Sequence, residues 1–174
     1  MNRQERRAHL STPLPEREPT FDLAVGLLAV RWTDERREVV RRWGLALDRH
    51  GDVWTSGAPL LTLEPGIPLA ARVQFRGERI DSVALEGSPV FPAESGEVDS
   101  WAACVAPALA SFVARCGAVY VACEREGSTP AHGGDLATLA EGDIDRFAAP
   151  GGATIEVTVV WDWPHFTLTL RPPR

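Results

Sequence analysis

The chain contains no lysine: all 18 of its basic residues are arginine. Schiff-base chemistry on a lysine and the lysine of a phosphate-cradling loop are therefore excluded, and every ion pair must use the planar guanidinium fork. Asparagine occurs once, at Asn2, while Ala, Gly and Pro are abundant. That pattern reads as coding bias in a GC-rich genome rather than as function. Cysteine is also scarce. Cys104, Cys116 and Cys123 cannot all pair within one chain. If Cys104 and Cys116 share a helix they stand roughly 18 Å apart along it, whereas a disulfide needs Cα atoms within about 7 Å. The three read as buried free thiols in a reducing compartment.

Long apolar runs are missing too. The longest uncharged run, Ser100 to Ala114, falls short of the ~18 residues that a membrane span needs. After Arg3, Arg6 and Arg7, the residues Pro13, Pro15, Glu16, Glu18 and Pro19 stand where a secretory leader would be apolar. The expectation is a cytoplasmic protein with no membrane association. The net charge of −6 argues against a general nucleic-acid binder, which needs a basic patch. Neither G-x-x-x-x-G-K-[ST] nor G-x-G-x-x-G occurs, and there is no G-x-S-x-G, C-x-x-C or H-E-x-x-H. No cofactor and no metal site is expected, and no residue is assigned a catalytic role.

What is present fits one domain of ordinary size, since 174 residues can bury a real core without staples. Residues 1–20 read as a polar, Pro-containing, flexible arm, and residues 21–174 as a single domain. Phe21 to Trp32 alternates as a buried strand would, with a short helix as the alternative. Thr33 looks like the cap of a helix that runs to about His50-Gly51, with Asp34 and Glu35 in its first turn and Glu38 one turn before Arg42. Asp52 to Ser56 and Pro59 to Leu63 are short strands. Ala71, Val73 and Phe75 alternate with polar residues, and Gly77-Glu78 turns the chain into Ile80 to Leu85, a hairpin. Pro89, Pro92 and Gly96 mark a loop.

A second helix reaches Cys116 and stops at Gly117. It either kinks at Pro107 or begins there, at the first-turn position. Ala118 to Cys123 is a buried strand. Asp135 to Ala140 and Asp143 to Phe147 look like short helical pieces around Gly142. Ile155, Val157, Val159 and Trp161 alternate with polar residues, as do Phe166, Leu168 and Leu170, giving a terminal hairpin joined through Asp162 to Pro164. Strands that come in hairpins favour an α+β fold: a largely antiparallel sheet packed against two or three helices.

The functional candidates follow from elimination plus charge. Leading is a non-enzymatic protein-binding domain, of immunity-protein, antitoxin or small-chaperone type, masking a partner. The partner is another protein, and charge favours a basic one. Its contact surface would combine the aromatic hairpin tip, Trp161, Asp162, Trp163 and His165, with the acidic residues Glu124, Glu126, Glu141, Asp143 and Asp145. Six tryptophans beside one tyrosine add weight. Trp43 and Trp101 read as core, and Trp32, Trp54, Trp161 and Trp163 lie at element ends. The alternative is a small hydrolase or transferase with a dispersed site around His132 or His165. Within it, Cys123 with His132 and an orienting Asp135 is the best thiol arrangement, although an apolar strand more often buries its Cys. A third reading is a homo-oligomeric scaffold built through the edge of the terminal hairpin. The basic face Arg36, Arg37, Arg41 and Arg42 is interleaved with Glu35 and Glu38 and reads as a solvated, internally paired surface.

Overall fold

A computed structural model describes residues 30–63, 66–88, 101–125, 134–139, 141–160 and 165–174. Two α-helices and nine strands are found among them. In chain order they are α1 (Arg36–Trp43), β1 (Leu45–Leu47), β2 (Trp54–Ser56), β3 (Leu61–Leu63), β4 (Ile67–Arg76), β5 (Arg79–Gly87), α2 (Ala106–Arg115), β6 (Val119–Arg125), β7 (Asp143–Ala148), β8 (Thr154–Val160) and β9 (His165–Arg171). The strands form one sheet in the order β1-β2-β4-β5-β9-β8-β7-β6, with β3 also paired to β4. Every pairing is antiparallel. A largely antiparallel sheet with few helices, α+β in the broad sense, agrees with the hairpin-rich pattern of the sequence.

The two hairpins expected from alternation, β4–β5 and β8–β9, are the spine of the sheet. The register brings their apolar positions into rows across the strands. Val73, Val83, Leu170, Ile155 and Phe147 form one row, and Ala71, Leu85, Leu168 and Val157 the next. These residues are buried and share one core with Val105, Leu109 and Phe112 from α2 and its preceding turn, and with Val39 and Trp43 of α1. A π-helical turn, Trp101–Val105, leads into α2, and Pro107 stands in the first turn of α2, where its missing N–H costs nothing. Trp101 is the keystone of this layer. Its indole N–H donates to the Leu136 carbonyl at 2.7 Å, and its ring meets Phe166 edge-on with centroids 6.0 Å apart.

Several sequence expectations are corrected. The first helix ends at Trp43, not near His50. Gly44 adopts φ 59°, ψ 38°, and its N–H caps the Val40 carbonyl. Leu45 to Leu47 then pair with β2, so Ala46 and Leu47 kept helical spacing only by coincidence. The cap residue is Glu35 rather than Thr33, and Asp34 holds the preceding turn by accepting from the Arg31 N–H at 2.9 Å. The Glu38–Arg42 ion pair forms as expected. Asp143 to Phe147 is not helical: it belongs to β7, paired on both sides. Its alternation was disguised because two of the three inward positions carry aspartate. β6 is not a buried strand but one end of the sheet, with Val119 and Val121 well exposed. Cys104 is exposed, Cys116 buried and Cys123 between the two. The terminal hairpin lies inside the sheet, between β5 and β7, and offers no edge for self-association. Residues 1–20, the expected strand from Phe21 up to Ala29 and the loop at Pro89, Pro92 and Gly96 lie outside the described residues.

Candidate functional site

Two places carry polar groups that the packing of a core does not require. One is the inward side of β7. Asp143 and Asp145 are fully buried there, in the same alternating set as Phe147. Register sets Cys123 of β6 directly opposite Asp145. Tyr120, two residues along from Ala122, meets Phe147 edge-on at 5.8 Å between centroids. Burial, the hydrogen bond to Asp145 and the charges of both aspartates push the Cys123 thiol up to about 12. Burial, then Asp145 and Cys123, also raise the Tyr120 hydroxyl. Cys123 is thus held as a protonated thiol beside two carboxylates. It is the opposite of an activated nucleophile, which needs a cation or a base beside it.

The thiol arrangement expected from the sequence also included Asp135 and His132. The Asp135 side chain accepts from the Ala137 N–H at 3.0 Å and caps the short 3-10 turn Leu136–Thr138, so it is used locally. His132 lies outside the described residues. Thiol labelling checks this assignment. At pH 8 a thiol held near 12 carries roughly a thousandfold less thiolate than an ordinary cysteine. Cys104 should therefore react with a maleimide in the native protein, while Cys123 and Cys116 react only after unfolding. Native labelling of Cys123 at a rate close to that of Cys104, read by mass spectrometry, would remove it.

The other place is the outward side of the sheet. Because side chains alternate, each apolar row facing the core leaves a second row facing away. One outward row runs Thr55, Arg72, Ala84, Thr169, Glu156, Arg146 and Ala122 from β2 to β6, and another runs Ala70, Glu86, Thr167 and Thr158. Most of these positions are half-buried, and the middle of the surface is threonine and alanine rather than long flexible chains. Ion pairs bind its charged positions across strands. Arg146 is held between Glu124 of β6, at 2.5 Å, and Glu156 of β8, at 3.0 Å, and Glu156 also meets Arg171 of β9 at 3.4 Å. Arg72 pairs with Glu86 at 3.2 Å. The hydrogen bond to Glu124 raises the Arg146 guanidinium above its ordinary value; burial opposes this and Glu156 adds to it. Two depressions indent the surface: one of about 260 Å³ around Arg72, Gln74 and Thr169, and one of about 450 Å³ between Arg146, Glu156, Arg171 and Arg174.

The described residues among those expected to meet a partner differ in their surroundings. Trp161, Asp162, Trp163 and Glu126 lie outside the described residues. His165 starts β9, half-buried, opposite Val160. Glu124 is exposed but engaged with Arg146, and Glu141 is exposed in the turn before β7. Asp143 and Asp145 are corrected outright: they point inward and contribute nothing to an exposed acidic surface. Of the tryptophans at element ends, Trp54 is half-buried against Phe75, edge-on at 6.3 Å, and Trp32 is half-buried. Sequence reasoning did not single out Arg146, Glu156 and Arg171. The only signal was the polar half of the last hairpin's alternation, and nothing in the spacing tied it to β6 and β7. Among the described residues no helix is long and apolar enough to cross a membrane, and no group of three His, Cys, Asp or Glu side chains could hold a metal ion. Comparison with protein-family models, with curated proteins and with solved structures finds no match to this chain.

Proposed function

We propose that the protein is a non-enzymatic binding domain of the masking kind, as immunity proteins, antitoxins and small chaperones are, and that it meets a protein partner through the outward side of its sheet. One observation carries the reading: a broad surface of eight adjoining strands in which small threonines and alanines are framed by cross-strand ion pairs. Such a surface is polar and carries mostly short side chains, so little side-chain freedom is lost on docking. Paired rather than excess charge suits specificity and register more than long-range attraction. The acidic net charge still favours a basic partner at longer range. Capture of a stoichiometric partner by the intact protein, and its loss on placing a bulky charge at Thr169, is the test.

A second reading, a small enzyme with a dispersed site, draws on the Asp143–Asp145 pair beside Tyr120. Two carboxylates kept fully out of water are costly, and active sites tolerate such costs. Under this reading Asp143→Asn and Asp145→Asn each raise the thermal midpoint while abolishing turnover. A lower midpoint for both variants in calorimetry would assign the pair to the fold alone.

A further inference from the structure

The ion pairs on the outward surface alternate in sign across four strands: Glu124, Arg146, Glu156, Arg171. Their use of donors is uneven. Arg146 engages all three of its nitrogens, giving Nη1 and Nη2 to Glu124 and Nε, with Nη2, to Glu156. Among the described residues Arg171 reaches Glu156 through Nε alone, at 3.4 Å, and the Nη groups of its fork are open to another acceptor. Both arginines line the depression of about 450 Å³, together with Gly152, Thr154, Pro172 and Arg174. Three arginines and one acidic residue, Glu156, line it, and the oxygens of the Glu156 carboxylate are already shared between Arg146 and Arg171. The alternation thus ends on a cation with unused donors, beside a second cation.

The walls are fixed as well as charged. The turn Pro150–Gly152 closes one side, and a Cβ added at Gly152, which sits at φ 86°, would lie 3.4 Å from Pro173. The segment after β9 therefore lies close against this turn, and Arg174 is carried to the same depression. Guanidinium forks match the paired oxygens of carboxylate and phosphate groups, and such charge-assisted bonds are the strong ones.

We infer that Arg171 and Arg174, with the Thr154 hydroxyl at the wall of their shared depression, form an oxyanion-binding site that takes a phosphate or carboxylate group as the next member of the alternating series. The site stands without the partner reading, because a small anion is enough to fill it. Calorimetric titration at constant ionic strength, with inorganic phosphate and separately with succinate, tests it. Saturable binding with a Kd on the order of 1–10 mM is expected for at least one of them, and which one binds distinguishes phosphate from carboxylate. Arg174→Gln, on an exposed side chain, should weaken that binding about tenfold with the thermal midpoint unchanged, and Arg171→Gln should weaken it at least as much. Absence of saturation by both anions at about 50 mM, or equal affinity in the wild type and Arg174→Gln, would overturn the assignment.

Discussion

Replacing Trp101 with alanine is expected to lower stability by about 3–5 kcal/mol, the range for removing a buried aromatic. For a chain of this length that moves the thermal midpoint down by roughly 6–20 °C. The size follows from what the side chain joins. Trp101 is 1% exposed, and it begins the π-helical turn that enters α2. Its ring meets Phe166 in the middle of the sheet, and its N–H satisfies the carbonyl of Leu136 in the 3-10 turn. Three separate stretches of chain therefore depend on one residue. Trp101→Phe separates the two contributions. It keeps most of the apolar contact and removes the stronger of two hydrogen bonds to the Leu136 carbonyl, which still accepts from the Leu139 N–H at 3.4 Å, a loss of about 0.5–1.5 kcal/mol. Chemical denaturation of both variants gives the difference directly. A Trp101→Ala protein less than about 1 kcal/mol weaker than the wild type would mean that this layer does not hold the sheet.

Gly87→Ala is expected to cost about 1–3 kcal/mol by overpacking, although alanine is ordinarily the better residue in regular structure. Gly87 ends β5, and register sets it beside Leu69 of β4 and Phe166 of β9. A Cβ there would lie 2.5 Å from Phe166 Cζ and 2.7 Å from Leu69 Cδ2. Neither neighbour has room to withdraw, since both are fully buried and the Phe166 ring is held against Trp101. Phe166→Leu removes the ring carbon that the new methyl would strike. In the double variant the two losses should therefore add to less than their sum, by about 0.5–3 kcal/mol. Simple additivity in denaturant unfolding would place the strain elsewhere.

The legible part of the fold was what local alternation encodes. Val73 with Val83, and Val157 with Leu168, lie in hairpins whose apolar period and turn residues are close in sequence. Gly117 was legible as a helix stop for the same reason, and its φ is 65°. β7 was not legible, because Asp143 and Asp145 fill positions that an amphipathic strand normally gives to apolar residues. Only pairing to β6 and β8 overrides that pattern. The short β1 was lost because a glycine turn separates it from α1 without any break in hydrophobic spacing. The outward surface was still less legible. Thr169, Glu156 and Arg146 become neighbours through strand order, which places a C-terminal hairpin between β5 and β7. Cross-strand neighbours on different hairpins leave no mark in the spacing of either one. The acidic residues before the last hairpin could be counted from sequence, but which side of β7 they face could not.

If the outward side of the sheet is the surface that meets a protein partner, comparative capture will show it. The intact protein and a Thr169→Arg variant serve as bait, with Ser111→Arg on the exposed side of α2 as control. Bound proteins are quantified by mass spectrometry after each bait is shown to be folded. One stoichiometric partner retained by the wild type and by Ser111→Arg, and reduced at least about 100-fold by Thr169→Arg, is the predicted result; a central charge without a partner on a docked surface costs several kcal/mol. Equal recovery of that partner on Thr169→Arg would contradict the claim.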